Sequence, residues 1–269
     1  MKTEPEKPDL LKDQLKYLKL GYLLRHHGEL TAEAAKARCS HAEFLRRLVQ
    51  AETQDRQIRA LERRIQAARF PVKKTVDQFQ WDWPKELNEA QVRHLFELGF
   101  VKERTNVVFC GGVGLGKTHL ASALGYAACQ AGYTVLFTTA VDAINALVTA
   151  QSLHRLQAEL KRYMTPAVLV LDEVGYLPLD KAGADLLFQI VSQRYERGSL
   201  IVTTNKAYKH WAGIFNNDAG ITAAILDRLL HRAQTVVIEG KSYRMKDRLA
   251  ARRTEKSGFG PSPRPARQL

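Results

Sequence analysis

The sequence predicts an α/β protein, a three-layer αβα domain on a parallel five-stranded sheet preceded by a small all-α domain. Three observations carry this. From residue 106 onward short apolar runs alternate with helical stretches, and runs such as Val168-Leu-Val-Leu171 are apolar at every position. Strands covered on both faces by helices need that pattern. A glycine-rich turn of fixed spacing joins the first strand to the first helix of the series. Residues 9–70, by contrast, carry apolar side chains at helical intervals and show no strand alternation.

Taken in order, Leu11, Leu15, Leu18 and Tyr22 recur on one helical face, predicting a helix over 9–28 with Gly28 as its stop. Thr31 is placed as the N-cap of a second helix, and Ser40, with Glu43 at the capping-box position, as the cap of a longer run. That run, through Phe44, Leu48, Ile58, Leu61, Ile65 and Ala68, reads as one helix or two and ends at Pro71. Phe79, Trp81 and Trp83 make residues 71–85 too apolar for a free linker, so this segment is expected to pack on the domain that follows. A helix over 88–98 leads into five strands, at 106–110, 134–138, 167–171, 200–204 and 235–239. Another helix is read over 141–163. After residue 250, Pro, Gly, Ser and Arg dominate, the composition of a disordered basic tail over 251–269.

The 269 residues are 45% apolar and 26% charged, ordinary globular values. No stretch reaches the ~18 apolar residues of a membrane span, and the N-terminus has no apolar signal core, so a cytoplasmic bacterial protein without a membrane partner is expected. Cys39, Cys110 and Cys129 are far apart and read as inert thiols, without zinc. The net charge of +13 and pI near 9.7 favour a polyanionic partner.

Residues 111–118, GGVGLGKT, fit G-x-x-x-x-G-K-[ST] between a strand and a helix, the P-loop arrangement. Gly111, Gly112, Val113, Gly114, Leu115 and Gly116 supply backbone N–H groups to phosphates at a helix N-terminus, with His119 just inside it. Lys117 is placed on the β- and γ-phosphates and Thr118 on magnesium, so ATP and Mg2+ are the expected ligands. Asp172, at the next acidic strand end, holds the magnesium with Thr118, and Glu173 orients or deprotonates the attacking water. Asn205 ends the following strand, either as a turn residue or as a contact to the γ-phosphate. Arg228 lies in an apolar helix, either paired with a carboxylate or projecting into a neighbouring subunit's site. Arg244 is a second candidate for the phosphates.

Together the P-loop, LDEVG, TTN and LDRL blocks resemble the AAA+ ATPases of the initiator and helicase-loader branch, and more closely the IstB family of transposition helpers. The stretch EFLRRLVQAETQDRQIRALERRIQAARFPVKKTVDQFQW and the GKSYRMKDR ending carry the closer likeness, though Gln80 stands where that pattern has an acidic residue. The resemblance implies a homo-oligomer on double-stranded DNA with its active sites between subunits, stimulating a cognate IstA-like transposase. It matches Asn205 to sensor 1, Arg228 to a trans arginine finger and Arg244 to a sensor-2-like arginine. The expected organisation is a helical DNA- or partner-binding domain at 1–70, a packed linker at 71–85, an ATPase domain at 86–250 and the tail.

Arg56, Arg59 and Arg63 form one helical stripe, with Arg64, Lys73 and Lys74 behind it, either a solvated face or a set of phosphate contacts. Arg155, Lys161 and Arg162, beside His154, are the alternative set. A replicative helicase loader of the DnaC kind is the nearest rival function. A small-molecule kinase lacks the Asp-Glu, Asn and Leu-Asp-Arg series. A clamp in which ATP only stabilises a filament is argued against by Glu173.

Overall fold

A computed structural model describes residues 9–83, 86–240 and 242–243. The chain divides into two compact units, the first ending at Arg63 and the second beginning at Arg64.

The first unit is helical. α1 (Leu10–Tyr17) is capped by Asp9, whose carboxylate accepts from the Lys12 amide at 3.3 Å. Lys19 then takes a left-handed backbone with φ 55°, and α2 (Gly21–Lys36) starts afresh and runs through both Gly28 and Thr31. The expected stop and cap are therefore both corrected. A side chain at Gly28 would meet nothing within 4 Å, and Thr31 donates back to the His27 carbonyl at 2.7 Å, satisfying its hydroxyl inside the helix. α3 (His41–Ala68) is one continuous helix, with Ser40 accepting from the Glu43 amide at 3.3 Å. Leu20 gives α2 no capping side chain, so Glu52 of α3 does that work. Its carboxylate accepts from the Tyr22 and Leu23 amides at 2.9 and 3.2 Å.

The second unit takes the last turn of α3, because Ala68 is fully buried there and the Phe70 ring packs beside Gly125 and Phe137. α4 (Glu89–Leu95), capped by Asn88, and the short α5 (Gly99–Lys102) lead into the sheet. The order along the chain is then β1 (Asn106–Gly111), α6 (Lys117–Gln130), β2 (Val135–Thr139), α7 (Ala140–Ser152), α8 (Leu156–Met164) and β3 (Val168–Val174). α9 (Lys181–Arg194), β4 (Ser199–Thr204), α10 (Ala219–Leu230) and β5 (Ala233–Ile238) follow. The expected helix over 141–163 is in fact two helices. His154, at φ 53°, breaks it, and the Arg155 amide returns to the Ala150 carbonyl.

All strand pairs are parallel, in the order β2-β3-β4-β1-β5. Alternation of side chains splits the sheet residues between two cores. Val108, Leu136, Leu169, Leu171, Leu200 and Val202 join a cluster with Leu147, Ile190 and Ile225 of α7, α9 and α10. Their strand neighbours, among them Val107, Phe137 and Val170, are equally buried and face the other way, toward α6. Arg194 ends α9 at 2% exposure, donating to the carbonyls of Tyr163, Pro166, Ala167 and Ser199 at 2.7–3.1 Å. It ties together the N-terminal ends of β3 and β4. Burial brings its pKa down to about 10. Among the described residues no helix is long and apolar enough to cross a membrane.

Candidate nucleotide site

A cleft of ≈ 540 Å³ opens at the C-terminal ends of β1, β3 and β4, where open parallel sheets hold their ligands. One wall is the turn from β1 to α6. Gly116 sits there at φ 86°, and a Cβ would lie 2.7 Å from the Phe79 ring, so both backbone and space demand glycine. Lys117 Nζ donates to the Gly112 carbonyl at 2.6 Å, holding its ammonium at the loop. Cys110, just before the loop, is half-buried, and burial pushes its thiol pKa up against the opposing pull of Lys117.

The acidic end of β3 meets this turn directly. Thr118 Oγ1 lies 3.0 and 3.1 Å from the two carboxylate oxygens of Asp172, which is 4% exposed. β3 runs on to Val174, beyond the expected 171, so Asp172 and Glu173 are strand residues. Glu173 is exposed and left-handed, with φ 61°. Its amide donates to Thr203 Oγ1 at 2.9 Å, and the Thr203 hydroxyl itself donates to Asp172. Thr203 thus fixes both acidic residues from β4. The sequence reading passed over it, because only the β3–β4 pairing makes Thr203 their neighbour; Leu171 opposite Val202 is the register that does so. Asn205, two positions on, lines the cleft with its Oδ1 buried and unpartnered among the described residues.

The opposite wall is the segment expected to be a packed linker. His119 Nε2 lies 3.0 Å from the Thr75 carbonyl. Burial lowers the His119 pKa, outweighing the bond to Thr75 that raises it. The rings of His119 and Trp81 both meet Phe79 edge-on, and Arg93 lies 4.7 Å over Trp81. Lys74, read from sequence as a DNA contact, lines the cleft with Gln78, Gln80 and Trp83. Tyr243 joins them, its amide donating to the Gly114 carbonyl at 2.9 Å. The aromatic richness of residues 79–83 was the sequence signal for this wall.

The remaining candidates lie elsewhere. Arg228 is not in the cleft wall. Its Nη1 donates to the Ala224 carbonyl at 3.0 Å, and its guanidinium stacks 5.1 Å over Phe188. Arg244 and the tail at 251–269 lie outside the described residues. Of the basic stripe, Arg56 bonds Glu52 and the Lys19 carbonyl, and Arg59 pairs with Asp55. Arg64 donates to the Cys129 carbonyl and Lys73 lies over the Tyr126 ring. Arg162 pairs with Glu159, while Arg63, Arg155 and Lys161 are exposed.

The donor set suits a hard divalent cation. A threonine hydroxyl and a carboxylate are oxygen ligands of the kind magnesium takes beside phosphates. The loop amides at the start of α6 suit the phosphates themselves.

Residues 13–251 match the family described as IstB-like ATP binding protein. A protein named for ATP binding in insertion sequence IS21 of Pseudomonas aeruginosa is 40% identical over 237 residues, covering 88% of this chain and 89% of that one. Its counterpart in insertion sequence IS5376 of Geobacillus stearothermophilus is 36% identical over 231 residues, covering 86% and 92%. Among solved structures, AMPPCP-bound DnaA from Aquifex aeolicus aligns over 72% of this chain and 58% of that one. The TM-score is 0.53 at 22% identity, a likeness of fold.

Proposed function

Because this chain belongs to the family of IstB-like ATP-binding proteins and has the P-loop AAA+ fold, we propose that it is the ATP-hydrolysing helper of a transposase. On this reading it assembles as an oligomer on duplex DNA, selects the target there and stimulates transposition. Hydrolysis then times assembly and release.

One observation carries the reading. Thr118, Asp172, Glu173 and Asn205 converge on a single cleft, while Arg228 of the same motif series lies on α10 outside it. A neighbouring subunit's Arg228 is then the group that completes each site. Lys117 holds the β- and γ-phosphates, and Thr118 with Asp172 holds Mg2+, which would neutralise phosphate charge. Glu173, open to the cleft, accepts a proton from the attacking water, and Asn205 orients that water. Arg63, Arg155 and Lys161, exposed in the structure, are the side chains offered to DNA phosphates.

The relatives' names tie them to insertion sequences, which favours a transposase over a replicative helicase as partner. The test is ATPase rate and sedimentation of the full chain with ATP or ADP, with and without duplex DNA. DNA should raise the rate, and ATP should enlarge the particle. A rate indifferent to DNA together with a size indifferent to nucleotide refutes the proposal.

A further inference from the structure

The turn that carries Asn205 is braced from behind by a residue outside the cleft. Thr204 ends β4 fully buried, and the chain then leaves the sheet, so Asn205 is bracketed between that strand end and Lys206. The Lys206 carbonyl accepts from three donors: Trp211 Nε1 at 3.1 Å, Thr204 Oγ1 at 3.4 Å and Cys110 Sγ at 3.6 Å. A thiol is a weak donor and the threonine bond is long, so the indole holds this carbonyl most firmly.

Trp211 is itself fixed. It is 1% exposed, and the rings of Tyr208 and Phe215 meet it edge-on at 5.6 and 5.9 Å. It lies in the short helical turn Tyr208–Gly213, whose continuation also reaches the loop that follows Glu173. There the Leu179 amide donates to the Ile214 carbonyl at 2.8 Å, and a Cβ at Gly175, itself at φ 85°, would collide with the Ile214 side chain. Residues 208–215 thus back both strand-end loops of the cleft, the one after β3 and the one after β4.

Asn205 needs such a brace. Its Oδ1 is buried and unpartnered among the described residues. The amide nitrogen is therefore the end left for the cleft, a donor where the γ-phosphate and water offer acceptors. A side chain on an irregular turn is aimed only as well as its backbone is held, and a positioning group displaced by about 1 Å costs about a hundredfold in rate.

We infer that Trp211 is a positioning residue for ATP hydrolysis. Its indole N–H fixes the Lys206 carbonyl, and through that turn aims the Asn205 amide at the γ-phosphate and the attacking water. Trp211 has this role only within the ATP reading of the cleft, on which the inference rests.

The test is a double-mutant cycle on steady-state ATPase kinetics of the full chain: wild type, Trp211→Phe, Asn205→Ala and the pair. Trp211→Phe keeps a buried ring and removes the donor. It should lower kcat about tenfold, leave KM within about twofold, and bind ATP at the wild-type stoichiometry, which counts the folded sites. Asn205→Ala should lower kcat about a hundredfold, and adding Trp211→Phe to it should cost nothing more. Equal losses from Trp211→Phe in both backgrounds mark a merely structural indole and overturn the inference, as does wild-type kcat in Trp211→Phe. A fall in binding stoichiometry that accounts for the whole loss overturns it too. Cys110→Ala removes another donor to the same carbonyl and spares the indole, so it gives an independent reading should Trp211→Phe not fold. It should lower kcat about threefold, and that loss should also vanish beside Asn205→Ala; no loss, or one that persists there, overturns the inference. Asn205→Ala at the wild-type rate would remove Asn205 from the reaction and the inference with it. A wild-type chain without ATPase activity would overturn the ATP reading itself.

Discussion

Replacing Thr203 with valine removes one hydroxyl and almost no volume, yet Thr203 is the bridge between the two acidic residues of the site. The hydroxyl is fully buried, accepts from the Glu173 amide at 2.9 Å and donates to Asp172. Valine leaves that amide without its partner and Asp172 with one donor fewer, although Thr118 still reaches both carboxylate oxygens. An unmade buried hydrogen bond costs about 1–3 kcal/mol. The two losses together, partly relieved at Asp172, come to about 2–4 kcal/mol, or a Tm lowered by roughly 5–10 °C for a domain of this size. Function should suffer more than stability. Glu173 is held at φ 61°, a conformation disfavoured for a glutamate, and without the Thr203 anchor its carboxylate loses its fixed position over the cleft. Loss of such a supporting bond typically lowers activity about 10–100-fold. Steady-state ATPase rates, nucleotide titration and thermal melts of Thr203→Val and Thr203→Ser decide the matter. The valine variant should bind ATP normally and turn over slowly, and serine should restore most of the rate. Wild-type turnover in Thr203→Val, or failure of serine to rescue it, would refute the argument.

Other consequences follow from the same geometry. Arg194→Met strands four carbonyls that now receive one guanidinium. It should destabilise the chain by about 3–5 kcal/mol in denaturant melts while ATP affinity holds, since the tie lies at the far ends of β3 and β4; a loss under about 1 kcal/mol would sink this. Arg228→Ala should keep ATP binding and lose turnover, and mixing it with Lys117→Ala should restore part of the rate, because each variant lacks what the other supplies. No recovery on mixing rules out action across subunits. Glu52 titrates below the ordinary glutamate value: burial pushes its pKa up, and bonds from Arg56 and the Leu23 and Tyr22 amides more than reverse that. A lowered folded-state pKa stabilises fully above the unfolded value near 4.5 and fades as pH falls through the folded one. Glu52→Gln should therefore be less stable than wild type at pH 7, and circular dichroism melts should show the gap closing in acid. A gap independent of pH contradicts it.

Which features the sequence disclosed depended on how local their causes are. The loop at residues 111–118 is contiguous, and each of its parts is demanded by the phosphates it would hold, so it could be read directly. The five strands were legible from unbroken apolar runs, with ends misplaced by a few residues. β3 ran further because pairing with β4 carries it past the acidic pair. The helix breaks were not legible. Lys19 and His154, neither glycine nor proline, take left-handed backbones there, while Gly28, the residue that looked like a stop, is spanned by helix. Propensity at one residue is about 1 kcal/mol, and packing across the unit outweighs it.

The basic residues show the same limit from the other side. A helical stripe of arginines looks alike whether it awaits phosphates or serves the fold, and only the positions of Glu52 and Asp55 separate the two. Arg56 and Arg59 answer carboxylates in their own unit, so their charge is already largely met. Lys74, three residues beyond Pro71 in an apparent linker, lines the cleft beside the loop at residues 111–118. The net charge of +13 by itself is therefore a poor guide to which side chains would meet a polyanionic partner. Any phosphate contact assigned from charge alone must first be discounted for carboxylates and carbonyls within reach. By that criterion Arg63, Arg155 and Lys161 are the substitutions that should weaken DNA binding without disturbing the fold, and Arg56 and Arg59 are those that should disturb the fold first.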